Sequence, residues 1–252
     1  MNRWNVRAAA AAVVVILAAA AAPARAQTTQ DGEAHFNIGL THLREGRTAL
    51  ALEELRKAIR IDGKNPYFYK ALGVCYMQLR KYGDAAEALR KSLQLNPYYV
   101  DARNDLGTAL ILGGKRDEGK AELLAAFNEP TNPTPELSAR NLGQAYLEEK
   151  NYSEAASWFR SCLTRNNKIL DAHLGLAEAL QGMSRGDDAL HALEDAVKAM
   201  PTEPQLLLAL GQSYYGAGRF NEARTMLEEA RTKDPNGPTG KRATELLTQF
   251  AK

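Results

Sequence analysis

The chain has 252 residues, with 32 Lys+Arg against 30 Asp+Glu and a formal net charge of +2. Its 45% hydrophobic and 25% charged content is ordinary for globular protein and excludes a polytopic membrane protein, a collagen and a disordered chain. Two cysteines exclude a disulfide-dense scaffold.

The first 26 residues read as a separate element. Met1 to Arg7 carries Arg3 and Arg7 and no acid, Ala8 to Ala22 is an unbroken apolar run of 15 residues, and Pro23 precedes Ala24-Arg25-Ala26. This order of basic, apolar and small-residue segments predicts a secretory signal peptide over 1–26, cleaved after Ala26. The alternative is an uncleaved anchor, but fifteen helical residues at about 1.5 Å each fall short of a roughly 30 Å apolar layer. Cleavage removes three Arg and leaves 29 bases against 30 acids, a net charge of −1. The global electrostatic case for a nucleic-acid partner goes with it. The first cysteine is Cys75, whereas a lipid-anchored mature N-terminus needs a Cys at the cleavage site. The expectation is an exported chain, periplasmic or secreted, with no stable membrane insertion after cleavage.

After a short leader at 27–31 the sequence repeats itself. Gly39, Gly73, Gly107, Gly143, Ala177 and Gly211 recur at spacings of 34, 34, 36, 34 and 34. Twelve residues after each come Ala51, Ala85, Gly119, Ala155, Ala189 and Ala223, and sixteen after each come Leu55, Leu89, Leu123, Phe159, Leu193 and Leu227. Nineteen after each come Ala58, Ser92, Ala126, Cys162, Ala196 and Ala230. Small residues at the first two classes let two helix axes approach to about 8 Å, and the large class fills the space beside that crossing. Each hairpin leaves an apolar face that only its neighbour covers, so stacking builds a continuous core. Helix content is expected to be very high, with no strand.

The segments LGVCYMQLRKYGDAAEALRKSLQLNP and LGQSYYGAGRFNEARTMLEEARTKDP carry this pattern most fully, and they resemble the tetratricopeptide repeat (TPR), a 34-residue helix–turn–helix unit. The resemblance covers 32–237 as six repeats, at 32–65, 66–99, 100–135, 136–169, 170–203 and 204–237. It implies an all-α fold: a right-handed α-solenoid of six helix–turn–helix repeats, with 238–252 as a C-terminal capping helix.

One junction is two residues longer than the rest, NEPTNPTPEL at 128–137. Pro130, Pro133 and Pro135 keep it non-helical until Thr134 caps and Pro135 opens the next helix. A local change in superhelix twist and a hinge or partner-contacting elbow both fit. In the last segment Ala243, Leu246, Leu247 and Phe250 fall at i, i+3, i+4 and i+7, while Lys241, Arg242, Glu245 and Gln249 lie off that stripe. A docked cap is the first reading, and a membrane-surface or partner-docking helix the alternative.

No chemistry is expected. Cys75 and Cys162 are 87 residues and about two repeats apart. That places them about 20 Å apart, beyond the roughly 7 Å a disulfide tolerates. Both read as buried small fillers. His35, His42, His173 and His191 lack partners at ligand spacing, so no metal site is expected. No phosphate-binding, dinucleotide, zinc-protease or serine-nucleophile motif occurs, which points to a protein without cofactor that is not an enzyme.

Binding remains. The TPR resemblance implies a concave groove lined by the first helix of each repeat. Carried over position by position, its contacts fall on Phe36, Leu40 and Leu43 in the first repeat and on Tyr67, Lys70 and Met77 in the second. They continue through Asn104 and Thr108 in the third, Arg140, Asn141 and Gln144 in the fourth, and Gln212 and Tyr215 in the sixth. The N-terminal end is then apolar and partly aromatic, the middle rich in amides around Arg140, a combination suited to a peptide backbone and its carboxylates. Repeat one has Phe36 and Leu40, and repeat two Lys70 and Val74, where a chaperone-tail carboxylate clamp needs Lys and Asn in one repeat; that clamp is absent.

The segment PTNPTPELSARNLGQAYLEEKNYSEAASWF, with its long junction, resembles the type IV pilus pilotin group, PilF/Tgl-type proteins that help an outer-membrane secretin ring assemble. The resulting expectation is a soluble exported scaffold or adaptor that binds a protein or peptide segment in its groove during assembly of an envelope complex. The alternatives are a pilotin-like role in pilus and secretin assembly, and a structural module that self-associates through its apolar first repeat.

Overall fold

The computed structural model describes residues 30–249. The signal segment, residues 27–29 of the leader and Phe250 of the cap stripe lie outside the described residues. Thirteen helices and no strand occur among them. The helices are α1 (30–44), α2 (Thr48–Ile61), α3 (Pro66–Gln78), α4 (Tyr82–Leu95), α5 (Val100–Leu112), α6 (Arg116–Asn128), α7 (Pro135–Glu148), α8 (Tyr152–Arg165), α9 (Leu170–Gly182), α10 (Gly186–Ala199), α11 (Pro204–Gly216), α12 (Phe220–Lys233) and α13 (Pro238–Gln249). The chain forms two compact units, one running to Lys115 and one beginning at Arg116. The boundary falls in the turn between α5 and α6, not at the 128–135 junction.

Each odd-numbered helix up to α11 stops in the same way. Gly46, Arg80, Gly114, Lys150, Ser184 and Gly218 all adopt φ between 56° and 85°, in the left-handed region. The amide of the next residue reaches back five positions, as Arg47 N to the His42 carbonyl (2.8 Å), Lys81 N to Tyr76 (2.9 Å) and Arg185 N to Leu180 (2.9 Å). This paired-bond C-cap satisfies carbonyls that the helix end leaves unbonded and reverses the chain. Proline at the first helical position opens α3, α7 and α11.

In the first unit the small-residue class does its work at Gly73, where a Cβ would lie 2.5 Å from Leu89 Cγ, so α3 and α4 touch through backbone and side chain. Ala51, Leu55 and Ala58 of α2 and Ala85, Leu89 and Ser92 of α4 are fully buried or nearly so. The Ser92 hydroxyl is satisfied by donating to the Pro66 carbonyl at 2.8 Å.

In the second unit the same crossing class holds Phe159 against Gly143, where a Cβ would lie 2.8 Å from the ring. The ring also reaches Gly175 of α9, whose Cβ would lie 2.6 Å from Phe159 Cε2. Ala223, Leu227 and Ala230 of α12 repeat the arrangement, and α13 docks Ala243, with Leu246 and Leu247, on Leu207, Leu227 and Ala230. The described part of that stripe thus packs as a cap on the last repeat.

The longer junction is braced. Thr134 sits at the N-cap of α7 but its side chain makes no cap bond, contrary to expectation. Asn132 takes over: its Oδ1 accepts from Thr134 N at 2.8 Å and its Nδ2 donates to the Ala126 carbonyl at 2.7 Å. Where no residues are added, a backbone amide meets that carbonyl, as Asn96 N meets Ser92 and Asn166 N meets Cys162. The side-chain amide bridges the two extra residues.

Candidate functional site

The first-helix positions carried over from the resemblance divide into three kinds. Leu43 is 9% exposed and lies in a core with Ala51, Leu55, Ala71 and Cys75, against which Phe36 and Leu40 pack half-buried. The Phe36 ring stands 4.9 Å from that of Phe68 on α3. These three are packing, not an open apolar mouth, because α3 covers them. Ile38 of α1 and Leu50 and Ile61 of α2, 46%, 46% and 38% exposed, are the large apolar side chains these two helices turn outward. Met77 likewise packs half-buried beside Leu89, Ala102 and Leu106.

The second kind is charged and already paired. Lys70 Nζ lies 3.2 Å from Asp105 Oδ2, linking α3 to α5. Burial pushes the Asp105 carboxyl up, Lys70 opposes that, and nearby Asp101 adds to it. In the second unit Arg140 Nη1 donates to Asp171 Oδ2 at 3.1 Å, linking α7 to α9, and its Nε is buried without an acceptor. Arg140, the base expected to hold a partner's carboxylate, and Lys70 are therefore both engaged by acids of the chain.

The third kind is open surface. Tyr67 is 52% exposed and meets the Tyr99 ring edge-on at 5.0 Å. Asn104 and Thr108 are half-buried, the Thr108 hydroxyl donating to the Asn104 carbonyl at 3.1 Å. In the second unit Asn141 is half-buried, and exposed Gln144 donates to Glu148 Oε1 at 3.3 Å. Exposed Gln212 and Tyr215 line a recess of about 200 Å³ together with Leu227, Leu246 and Gln249, so α13 contributes to it.

Two arrangements escaped sequence reasoning. Lys120 Nζ lies 4.8 Å from the Tyr146 ring centroid, 2.8 Å from Glu149 and 3.2 Å from Asp117. The Arg219 guanidinium lies 4.3 Å from the Tyr214 centroid, 2.9 Å from Glu222 and 3.5 Å from Glu194, which also accepts from the Tyr214 hydroxyl at 2.8 Å. Each is a tyrosine and two carboxylates closed over a cation. The signal was a tyrosine in the same place in three repeats, Tyr76, Tyr146 and Tyr214, but the acids that complete the two clusters come from other helices or turns.

No group of three metal-ligating side chains occurs among the described residues. His35 pairs with Glu54 at 2.6 Å, and buried His173 bonds through Nε2 with the Asn167 carbonyl at 2.8 Å. Cys75 and Cys162 are free and buried, in different units, and burial pushes the Cys162 thiol up to about 11. No helix among the described residues is long and apolar enough to cross a membrane.

Comparison with known proteins matches this geometry. Tetratricopeptide-repeat family models match residues 32–65 and 141–169, 66–99, and 180–247, together well over half of the chain. The type IV pilus assembly protein PilF of Pseudomonas aeruginosa is 28% identical over 148 residues, 59% of this chain and 59% of PilF. The human protein O-mannosyl-transferase TMTC3 is 22% identical over 214 residues, 83% of this chain but 23% of that protein. The chain thus matches less than two thirds of the length of either relative. The crystal structure of PilW, a widely conserved type IV pilus biogenesis factor, superposes with a TM-score of 0.71 at 18% identity, covering 85% of this chain and 99% of PilW. A solved structure of P. aeruginosa PilF gives 0.69 at 21% identity, covering 90% of this chain and 100% of that one. At those identities the likeness speaks to the fold alone. Helix pairs with small-residue crossings, a common left-handed turn and the matched stretches agree: the chain belongs to the tetratricopeptide-repeat family.

Proposed function

We propose that the chain is an exported, non-catalytic adaptor that holds a protein or peptide segment against the first helices of its repeats during assembly of an envelope complex. The tetratricopeptide repeat is a scaffold and protein-interaction fold. The observation that carries the reading is the exposure of Tyr67, Gln144, Gln212 and Tyr215 on helices whose other faces are buried. Exposed tyrosines and amides on rigid helices are what interface anchors are made of. The transferase name of one relative does not carry over, since the match spans 23% of that protein. Export rests on the basic, apolar and small-residue order of residues 1–26.

Photo-crosslinking in cells tests it, with the crosslinker at Tyr67, Gln144 or Gln212 and at exposed Lys91 on α4 as control. A discrete adduct from the first three positions and not from Lys91 is expected; equal or absent adducts overturn the assignment. Chain recovered from cells is expected to begin at Gln27, and a start at Met1 overturns export.

A narrower role in type IV pilus assembly is favoured by the likeness to PilF in sequence and to PilW in fold. Deleting the gene is then expected to remove surface pili, and unchanged piliation overturns this role.

A further inference from the structure

The chain closes two tyrosine–carboxylate clusters with its own cations, Lys120 at Tyr146 with Glu149 and Asp117, and Arg219 at Tyr214 with Glu222 and Glu194. A related group of tyrosines and carboxylates stands in the first unit. Tyr67 and Tyr99 meet edge-on at 5.0 Å. Asp101 and Asp105 lie one turn apart on α5, hence on one face of that helix. They belong to one neighbourhood: Tyr99 is the N-cap residue of α5 and Asp101 lies in its first turn, while α3, which carries Tyr67, reaches Asp105 through Lys70. Burial pushes the Tyr99 phenol up to about 12, and the charges of Asp101 and Asp105 and the Tyr67 phenol add to that effect. Lys70 reaches Asp105 at 3.2 Å, but among the described residues no cation sits over either ring. Asp101 is exposed and the Tyr67 ring half-exposed.

We propose that Tyr67, Tyr99, Asp101 and Asp105 form a seat for a cationic side chain, the guanidinium or ammonium of an arginine or lysine in a bound protein segment. This rests on the first-helix reading above and names what the partner presents. A ring face and a carboxylate attract a cation together, and a site with little water strengthens both. Lys70 already sets an ammonium 3.2 Å from Asp105, so the chemistry of the cluster suits a cation.

The test is an NMR titration of the whole mature chain with N-acetyl-arginine methylamide, with the isosteric, uncharged citrulline compound as control. Saturable shifts of the Tyr67 and Tyr99 ring signals with arginine alone are expected. Asp101→Asn and Tyr67→Leu, at exposed positions, are each expected to weaken binding roughly two- to fivefold. Thermal melts establish that both variants stay folded. An equal response to citrulline, no saturation, or unchanged affinity in both folded variants overturns the seat. The crosslinks at Gln144 and Gln212 read the groove separately: adducts there without an arginine response leave the groove and remove the seat. An arginine response without adducts keeps the seat and removes the groove.

Discussion

At the crossing of α3 with α4 the first unit uses Leu89, and the residue sixteen positions on is Asp105, which keeps a whole carboxylate beside Lys70. At the equivalent crossing of α7 with α8 the second unit uses Phe159, and the residue sixteen positions on is Gly175, with no side chain to keep. A ring occupies volume that an isobutyl group leaves free, and close-packed interiors allow no overlap. Phe159 therefore leaves no room for a side chain at Gly175, whereas the leucine crossings Leu55, Leu89, Leu123 and Leu193 are followed at the same offset by Ala71, Asp105, Ala139 and Ala209. The units differ in charge as well: residues 30–115 hold 13 bases and 10 acids, net +3, and residues 116–249 hold 15 bases and 20 acids, net −5. The shared small and large positions hold the stack together, while the residues between them differentiate the units.

That contrast is open to direct attack. The largest effect is expected from swapping the packing solutions. Gly175→Ala should cost about 1–3 kcal/mol by overpacking Phe159, and adding Phe159→Leu should recover part of the loss. Leu89→Phe in the first unit should cost a similar amount and be relieved by Asp105→Gly. Urea unfolding of each single and double variant reads both cycles, and additive losses would mean that the two positions do not share volume.

A smaller effect is expected at the turns that end the odd-numbered helices, where the six repeats use three glycines and three other residues in one conformation. Gly46→Ala and Gly218→Ala should each lose about 1 kcal/mol, since a Cβ is disfavoured at positive φ. Lys150→Gly and Arg80→Gly should each gain a few tenths of a kcal/mol, strain relief being partly offset by a freer unfolded chain. Thermal melts decide, and a gain on either glycine replacement would refute the shared-turn account.

The smallest effect concerns the slot held by Ala58 and Ser92 in the first unit and by Cys162 in the second. Burial raises the Cys162 thiol to about 11 from an ordinary 9.0, so the unfolded chain ionises first as pH rises. Stability from this group is whole below about pH 9 and is lost progressively between about 9 and 11. Cys162→Ala, the residue at this slot in four sibling repeats, should flatten the fall in Tm between pH 8.5 and 10.5 by a small margin. An identical pH profile would show that the thiol stays protonated in both states.

Much of the fold was legible because it is local and periodic. The Gly39, Ala51, Leu55 and Ala58 classes follow directly from helix geometry, and one repeat specifies its crossing within about twenty residues of chain. The left-handed turn was also written in Gly46, Gly114 and Gly218, although Arg80, Lys150 and Ser184 disguise it. The groove was less legible. Leu43 sits at a first-helix position like Gln144 and Tyr215, yet it is buried while they are exposed, because burial depends on which neighbouring helix lies over the position.

By itself the sequence determined the helical repeat, the register of small and large residues and the six-fold recurrence of the pattern, since each depends on side-chain size at a fixed spacing. Only the tertiary structure decided which charges are spent. Lys70 meets Asp105 from 35 residues away and Arg140 meets Asp171 from 31, and each pair requires two separate helices to lie side by side. It likewise decided that, among the described residues, a cation closes over Tyr146 and Tyr214 but not over Tyr67 and Tyr99, a difference set by whether a neighbouring element delivers Lys120 or Arg219 over the ring.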